Sequence, residues 1–343
     1  MEEKQFIDVS GVGSSGKSAV VDILREFEGI FVPANSFEFD LVRAPGGVLD
    51  LYHALCEDWS PVRSHNAVRR FQKLVNLVGR SESSLNLWAA AQSTGNRYDS
   101  VFHGQFTKLA NEFLDSFIKG SYKAYWPYDS YEMAAPQRFF NKFYRKFDFH
   151  KKVCSEVLLC DGENFANEFS KFMNALFNQI CKDSNKVVLN NAFEAFNPAR
   201  SLNLLKSAKS IIVTRDPRDI YVSGLSSFNV SESDKALQAV ENDGINKSFL
   251  ATDNLNNFIT RYKLYMDHLT KNQDDRVLIL KFEDLVENYD ESLKKIISHL
   301  GLKDSDHVRK GMCFDPSKSG QNIGKWKLFS DQKTVSIISE HLC

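Results

Sequence analysis

No run of this sequence approaches the roughly 18 apolar residues that a membrane-spanning helix needs. Its opening, "MEEKQFIDVS", has no basic head before an apolar core. A soluble, unprocessed, cytoplasmic chain without a membrane span is therefore expected. The six cysteines, at 56, 154, 160, 181, 313 and 343, form no CxxC pair and keep no regular spacing. That pattern argues against a zinc ribbon or a disulfide framework, so reduced thiols and no metal site are expected. Excess charge is also missing. Lys plus Arg number 43 against 44 Asp plus Glu, so no bulk positive field exists for coating nucleic acid, and an anionic ligand must be held by local groups. The sequence has no internal repeat and no low-complexity linker; the polar stretch 229–248 reads as a mobile loop.

What is present is apolar material: 43% of 343 residues, enough to fill one large α/β domain with insertions, or two smaller ones. Near-continuous apolar runs at "QFIDV" (5–9), "GIFV" (29–32), "KVVL" (186–189), "SIIV" (210–213) and "RVLIL" (276–280) read as parallel strands buried on both faces. Helical stripes lie between them, such as Phe165, Phe169, Phe172, Leu176 and Ile180, and Leu255, Phe258, Tyr262, Tyr265 and Leu269. The alternation predicts an α/β fold, a doubly wound parallel sheet flanked by helices. Residues 50–180 offer no convincing strand but do offer helices, for example Phe102, Phe106, Leu109, Phe113 and Phe117 with Gly120 as a stop. They read as a large helical insertion between the second and third core strands of one domain spanning 1–343.

Two loops carry chemistry. "GVGSSGKS", Gly11 to Ser18, fits the P-loop pattern G-x-x-x-x-G-K-[ST], follows a strand and opens the helix "SAVVDIL". Gly11, Gly13 and Gly16 let successive N–H groups converge on an anion, the helix start adds partial positive charge and Lys17 a full one. A phosphate-like group belongs there; a ligand-free Gly/Ser turn is the alternative. In "SIIVTRDPRDIYVSGL" (210–225) a buried strand ends on Arg215 and a helix begins at once. Asp216 and Asp219 are suited to cap it and Pro217 to its first position. Ser223, eight residues after Arg215, can reach the same anion from the helix. Otherwise Arg215 and Arg218 are surface partners of Asp216 and Asp219.

The second loop, "VTRDPRDIYVS", closely resembles the signature of sulfotransferases that use 3'-phosphoadenosine 5'-phosphosulfate (PAPS). The resemblance extends to "KFEDL" (281–285), after "RVLIL", and to "GQNIGKWKLF" (320–329), which is similar to the family's C-terminal Gly-x-Trp loop over the nucleotide. It implies that Ser14, Ser15, Gly16, Lys17 and Ser18, next to Gly13, hold the 5'-phosphosulfate. Arg215 and Ser223 would hold the 3'-phosphate, and Gly324, Lys325 and Trp326 would cover the nucleotide. Adenosine 3',5'-bisphosphate (PAP) would be the product. Compared with the family's first loop, Lys17 stands where a Thr is common and Ser14 where a basic residue is. The basic pair and Gly often found near the family's C-terminus are matched loosely by Lys318 and Gly320, while "RKG" (309–311) lies upstream.

Sulfuryl transfer needs in-line approach, charge stabilisation and a base, by analogy with phosphoryl transfer. Lys17 serves the charge. For the base, the family's carbohydrate-acting members resemble the pattern "IFVPANSFEFDLVR" (30–43) and often place a Glu there. If "SFEFD" is extended, Glu38 and Asp40 face away from Phe37 and Phe39. Glu38 is the first candidate base and Asp40 the second; two solvated carboxylates are the alternative. Other members place a His after the strand preceding the second loop, where "VVLNNAFEAF" has Asn190, Asn191 and Glu194 instead. His53, His65, His103 and His150 receive no role. The stretch 138–152 puts Phe139, Phe140, Phe143, Tyr144 and Phe147 on one helical face and Arg138, Lys142, Arg145 and Lys146 on the other. It reads as a solvated basic face, or as one that attracts an acidic glycan.

The expected reaction is sulfuryl transfer to a hydroxyl or amine of a small-molecule or glycan acceptor, with residues 50–180 as the acceptor-binding region. The alternatives are an ATP- and Mg²⁺-dependent small-molecule kinase, using Ser18 and a strand-end carboxylate such as Asp216, and a non-catalytic nucleotide-binding protein.

Overall fold

The apolar runs read from the sequence form the strands of the parallel sheet. The computed structural model describes residues 3–34, 37–80, 97–146, 154–227, 251–252 and 254–343; the loop at 229–248, Phe147 and His150 lie outside them. Seven strands occur among the described residues: β1 (Gln5–Gly11), β2 (Ile30–Phe31), β3 (Ile118–Tyr125), β4 (Cys154–Cys160), β5 (Lys186–Asn190), β6 (Lys209–Thr214) and β7 (Val277–Lys281). Five of them make one parallel sheet in the order β2-β5-β1-β6-β7, with Ile7 opposite Val188 and Lys209. The chain divides into two compact units, Met1–Arg43 with Ile180–Cys343, and Ala44–Gln179.

In the first unit, the period of two along each strand sends side chains to opposite faces. Ile7, Val9, Ile211 and Val213 pack with Val20, Ile23 and Leu24 of the helix Lys17–Arg25 and with Leu293, Ile296 and Leu300 of the helix Tyr289–Leu300. Ile212 packs with Leu269 of the helix Leu255–Lys271. Helices therefore cover both faces of the sheet, the doubly wound arrangement that the alternation predicts.

The second unit corrects one expectation. Residues 50–180 do contain strands: β3 and β4 pair as an antiparallel ribbon. The helix that starts at Phe106 ends at Asp115, and Gly120 is not its stop but lies in β3 beside a register irregularity. These strands escape a reading by apolar runs because β3 has no buried residue and β4 has only Val157 and Cys160. The unit's core is aromatic. The Phe113 ring lies 5.0 Å from Phe117, 5.3 Å from Phe172 and 5.9 Å from Phe71, in stacked and edge-on contacts.

One buried carboxylate joins three elements of the sheet. Asp8, fully buried in β1, accepts hydrogen bonds from the hydroxyls of Ser10 and Ser210 and from the backbone N–H groups of Ala192 and Phe193 just beyond β5. Burial raises its pKa to about 6 although these four donors act to lower it. The folded protein thus holds a proton that the unfolded chain releases near pH 3.8. This contribution is fully present below the unfolded pKa and is lost as pH rises through the folded one. Asp8→Asn should therefore remove a decline in unfolding free energy of roughly 3 kcal/mol between about pH 4 and 6. Denaturant titrations across that range check it, and an unchanged pH profile would contradict the assignment.

Candidate functional site

The first loop leaves β1 at Gly11, where an added Cβ would lie 2.5 Å from the Val213 carbonyl oxygen of neighbouring β6. Gly16 turns the chain at φ +88°, and a Cβ there would collide with the Phe282 ring. The helix Lys17–Arg25 begins at Gly16 with no side-chain cap on its first N–H groups, which leaves them for an anion. Ser15 is buried, and its Oγ has no hydrogen-bond partner among the described residues.

The second loop turns inward against the first. Arg215 is 7% exposed; its Nη1 donates to the Ser14 carbonyl at 2.9 Å and its Nη2 to the Asn322 carbonyl. The guanidinium lies 5.1 Å from the Phe282 ring centre. Burial lowers its pKa against the opposing charges of Asp219, Glu283 and Asp216. Its Nε is buried without a partner among the described residues. The Tyr262 hydroxyl donates to the Arg215 carbonyl at 3.2 Å. In "KFEDL", Phe282 supplies the ring that meets both loops, and the Glu283 carboxylate accepts the Asp216 N–H at 2.9 Å.

Asp216 and Asp219, both expected to cap the helix Pro217–Ser227, divide the work. Asp216 accepts the Arg218 N–H and pairs with its guanidinium. Asp219, 1% exposed, accepts instead from the N–H groups of Gly324 at 2.7 Å and Trp326 at 3.2 Å. It therefore ties down the C-terminal Gly-x-Trp turn. The Arg218 guanidinium packs over Trp326, 3.9 Å from the ring centre. Of the surface pairing considered for the two arginines, that of Arg218 with Asp216 forms, while Arg215 is drawn inward.

A cavity of about 510 Å³ brings together Ser14, Gly16 and Ser18 of the first loop with Arg215, Ser223 and Lys325. Gly324 and Trp326 are not in its lining; Asp219 and Arg218 hold them. Gly311 of "RKG" and Lys318 both reach it. Glu26 accounts for the first of these: its fully buried carboxylate accepts from the Cys313 and Phe314 N–H groups, both at 2.9 Å, and bonds His307 Nε2 at 2.7 Å. These bonds pin the segment around Gly311 to the end of the first-loop helix.

A second cavity, of about 870 Å³, is lined by other residues of the same loop, Gly13 and Lys17, with Glu38, Asn191, Glu194 and His268. Lys17 thus serves this cavity rather than the one shared by Ser14, Gly16 and Ser18. Its Nζ donates to Glu38 Oε1 at 2.9 Å, and Asn191 Nδ2 donates to Glu38 Oε2 at 3.3 Å. Burial raises the Glu38 pKa, but the Lys17 bond and charge, the Asn191 bond and the Arg43 charge outweigh it and hold the carboxyl below its usual range. Residues 37–39 form no ladder strand, yet the alternation stands. Phe37 and Phe39 are buried, and their backbone is bonded to the side chain and carbonyl of Asn190.

Asp40 is placed differently. It pairs with Arg43 at 3.0 Å and is absent from the lining of the Glu38 cavity. His53 pairs with Glu57, His65 Nδ1 accepts the Leu158 N–H, and His103 is exposed. The reading from sequence missed Arg261 and His268 and took Tyr265 only as part of an apolar stripe; all three line the Glu38 cavity from the helix Leu255–Lys271. Their i, i+4, i+7 spacing was the available signal; it runs beside the apolar stripe of the same helix. Asp219→Ala should speed hydrogen exchange of the Gly324 and Trp326 amides by about tenfold or more. Mass spectrometry of that peptide checks it, and unchanged exchange would remove Asp219 as the anchor.

A family model described as "Sulfotransferase domain" matches residues 135–336, more than half of the chain. Among solved structures, the chain is similar to sulfotransferase STF9 from Mycobacterium avium (10% identity, TM-score 0.40, covering 100% of this chain and 77% of that one). It is similar also to the sulfotransferase domain from the curacin biosynthetic pathway (12%, 0.42, 99% and 97%) and to that from the Synechococcus PCC 7002 olefin synthase (14%, 0.37, 98% and 92%). No curated protein sequence matches the chain.

Proposed function

We propose, from the premise that this chain belongs to the sulfotransferase family and uses PAPS as its donor, that Glu38 is the base and that a carbohydrate or glycoconjugate hydroxyl is the acceptor. One observation carries the assignment of the donor site: a single cavity holds the first-loop residues Ser14, Gly16 and Ser18 together with Arg215 and Ser223. A ligand with anions on the 3' and 5' oxygens of one ribose fits that set. The buried Arg215 Nε, without a partner among the described residues, supports the fit, since a buried donor costs stability until an acceptor reaches it.

PAPS supplies a sulfuryl group on a phosphate leaving group. The first-loop N–H groups and Ser18 hold the charged end, and Arg215 with Ser223 hold the 3'-phosphate. Lys17, bonded to Glu38, is placed on the same loop to neutralise charge that develops on the sulfuryl oxygens. Glu38, kept ionised by Lys17 and Asn191, takes the acceptor proton as the new S–O bond forms and the S–O bond to the phosphate breaks. The second cavity supports a sugar-like acceptor, because the stacked Phe196 and Tyr265 rings, 4.1 Å apart, stand there beside Asn191 and Glu194. Residues 50–180 are assigned to acceptor selection, and a cytoplasmic location belongs to the same reading. No helix among the described residues is long and apolar enough to cross a membrane. The kinase alternative draws on Asp216, whose carboxylate is taken by Arg218.

Glu38→Gln should lower kcat about 10²- to 10⁴-fold and leave PAP affinity unchanged. Because the Glu38 pKa is depressed, the acid limb of the parent rate profile should lie below the ordinary glutamate range. Equal turnover in the variant removes Glu38 from the role. By calorimetry the parent should bind PAP more tightly than ATP with Mg²⁺, and the reverse order favours the kinase. Ser223→Ala, which leaves the Arg215 tie to the first loop in place, should weaken PAP about fivefold or more while changing adenosine 5'-monophosphate little.

A further inference from the structure

The helix Ala135–Lys146, in the unit Ala44–Gln179, has no buried residue. An amphipathic helix on a folded unit ordinarily turns its apolar stripe to the core, and this one does not. Phe139 is 66% exposed and Phe140 55%. At about 100° per residue these two rings share one arc with Phe143 and Tyr144, Arg138, Lys142 and Arg145 lie on the other side, and Lys146, seven residues after Phe139, sits at the border between them. The twelve residues contain four cations and no carboxylate, in a chain whose formal net charge is −1. The helix is tied to the β3–β4 ribbon through Arg145, whose Nη1 donates to the Tyr125 hydroxyl at 2.9 Å while the guanidinium lies 4.6 Å from that ring's centre. Tyr131, 79% exposed, stands just before it in the chain.

Water suits the cations but not the phenylalanines. An acidic glycan laid along the cations would leave the rings, which face another way, in water. A surface that is anionic outside and apolar a few ångströms beneath satisfies both arcs at once, with the rings below the headgroups and the guanidinium and ammonium groups among them. At 1.5 Å per residue the helix is about 18 Å long, suited to lying in that plane and too short to cross a hydrocarbon core of roughly 30 Å. We propose that the helix Ala135–Lys146 docks the protein on an anionic lipid bilayer surface. The inference stands on this exposed face; the helix lies within residues 50–180, and the argument draws on none of the residues assigned to the donor or to the base.

The test is sedimentation of the full chain with vesicles of phosphatidylcholine, with and without phosphatidylserine. Binding is expected only with phosphatidylserine present and should weaken steeply as salt is raised. Phe139→Ser with Phe140→Ser, and separately Arg138→Glu with Lys142→Glu, should each reduce vesicle partitioning about tenfold or more. Both variants should keep the parent's circular dichroism and PAP affinity, which separates lost docking from lost folding. Equal partitioning of parent and variants overturns the proposal, as does failure of the parent to bind phosphatidylserine vesicles at low salt. Binding of an acidic oligosaccharide without binding of vesicles overturns it in favour of a glycan surface. A concentration-dependent dimer that both variants abolish, with no vesicle binding, overturns it in favour of a second copy of the chain.

Discussion

The hydrogen bond from Arg215 to the Ser14 carbonyl is the contact on which the rest of the candidate site depends. It joins the turn after β1 to the turn after β6, and it forms because the two strands are neighbours in the parallel sheet. A guanidinium with little access to water needs acceptors. Arg215 has them in two backbone carbonyls from distant parts of the chain, Ser14 and Asn322, with the Phe282 ring alongside. The same ring excludes a side chain at Gly16. One aromatic residue therefore shapes the first loop and seats the cation of the second.

Around that contact the polar groups act as supports. Asp8 reaches the turn after β5 through two backbone N–H groups, and that turn carries Asn191, which holds Glu38. Asp219 holds the Gly324–Trp326 turn, and Glu26 holds the segment around Cys313. Each is a buried carboxylate accepting backbone N–H groups, an arrangement that compensates desolvation and fixes loop geometry together. The first loop serves two cavities because Lys17 is drawn to Glu38 while Ser14, Gly16 and Ser18 line the other.

Much of this was legible in the residues. The five parallel strands are continuous apolar runs, although β7, at the sheet's edge, buries only Leu280, and both candidate anion turns announce themselves by spacing, since glycine, Pro217 and an arginine at a strand end have few other uses together. The ribbon β3–β4 was not legible, because a two-stranded ribbon with most of its side chains in water needs no apolar run. Asp219 was misread as a cap because its sequence position suits one; its partners at Gly324 and Trp326 lie more than a hundred residues away. His268 and Arg261 were passed over because the apolar stripe of their helix is the stronger pattern.

By itself the sequence determined which segments are the sheet's strands and which turns carry the pattern of an anion-binding loop, because these follow from local periodicity and spacing, while Glu38 and Asp40 entered as candidate bases through the family resemblance. Only the tertiary structure decided that Arg215 points inward, that Lys17 pairs with Glu38 while Asp40 pairs with Arg43, and that the helix bearing Phe139 buries none of its residues. The physical reason is that partner choice among charged and aromatic side chains depends on distances between segments far apart in the chain, and strand order sets those distances.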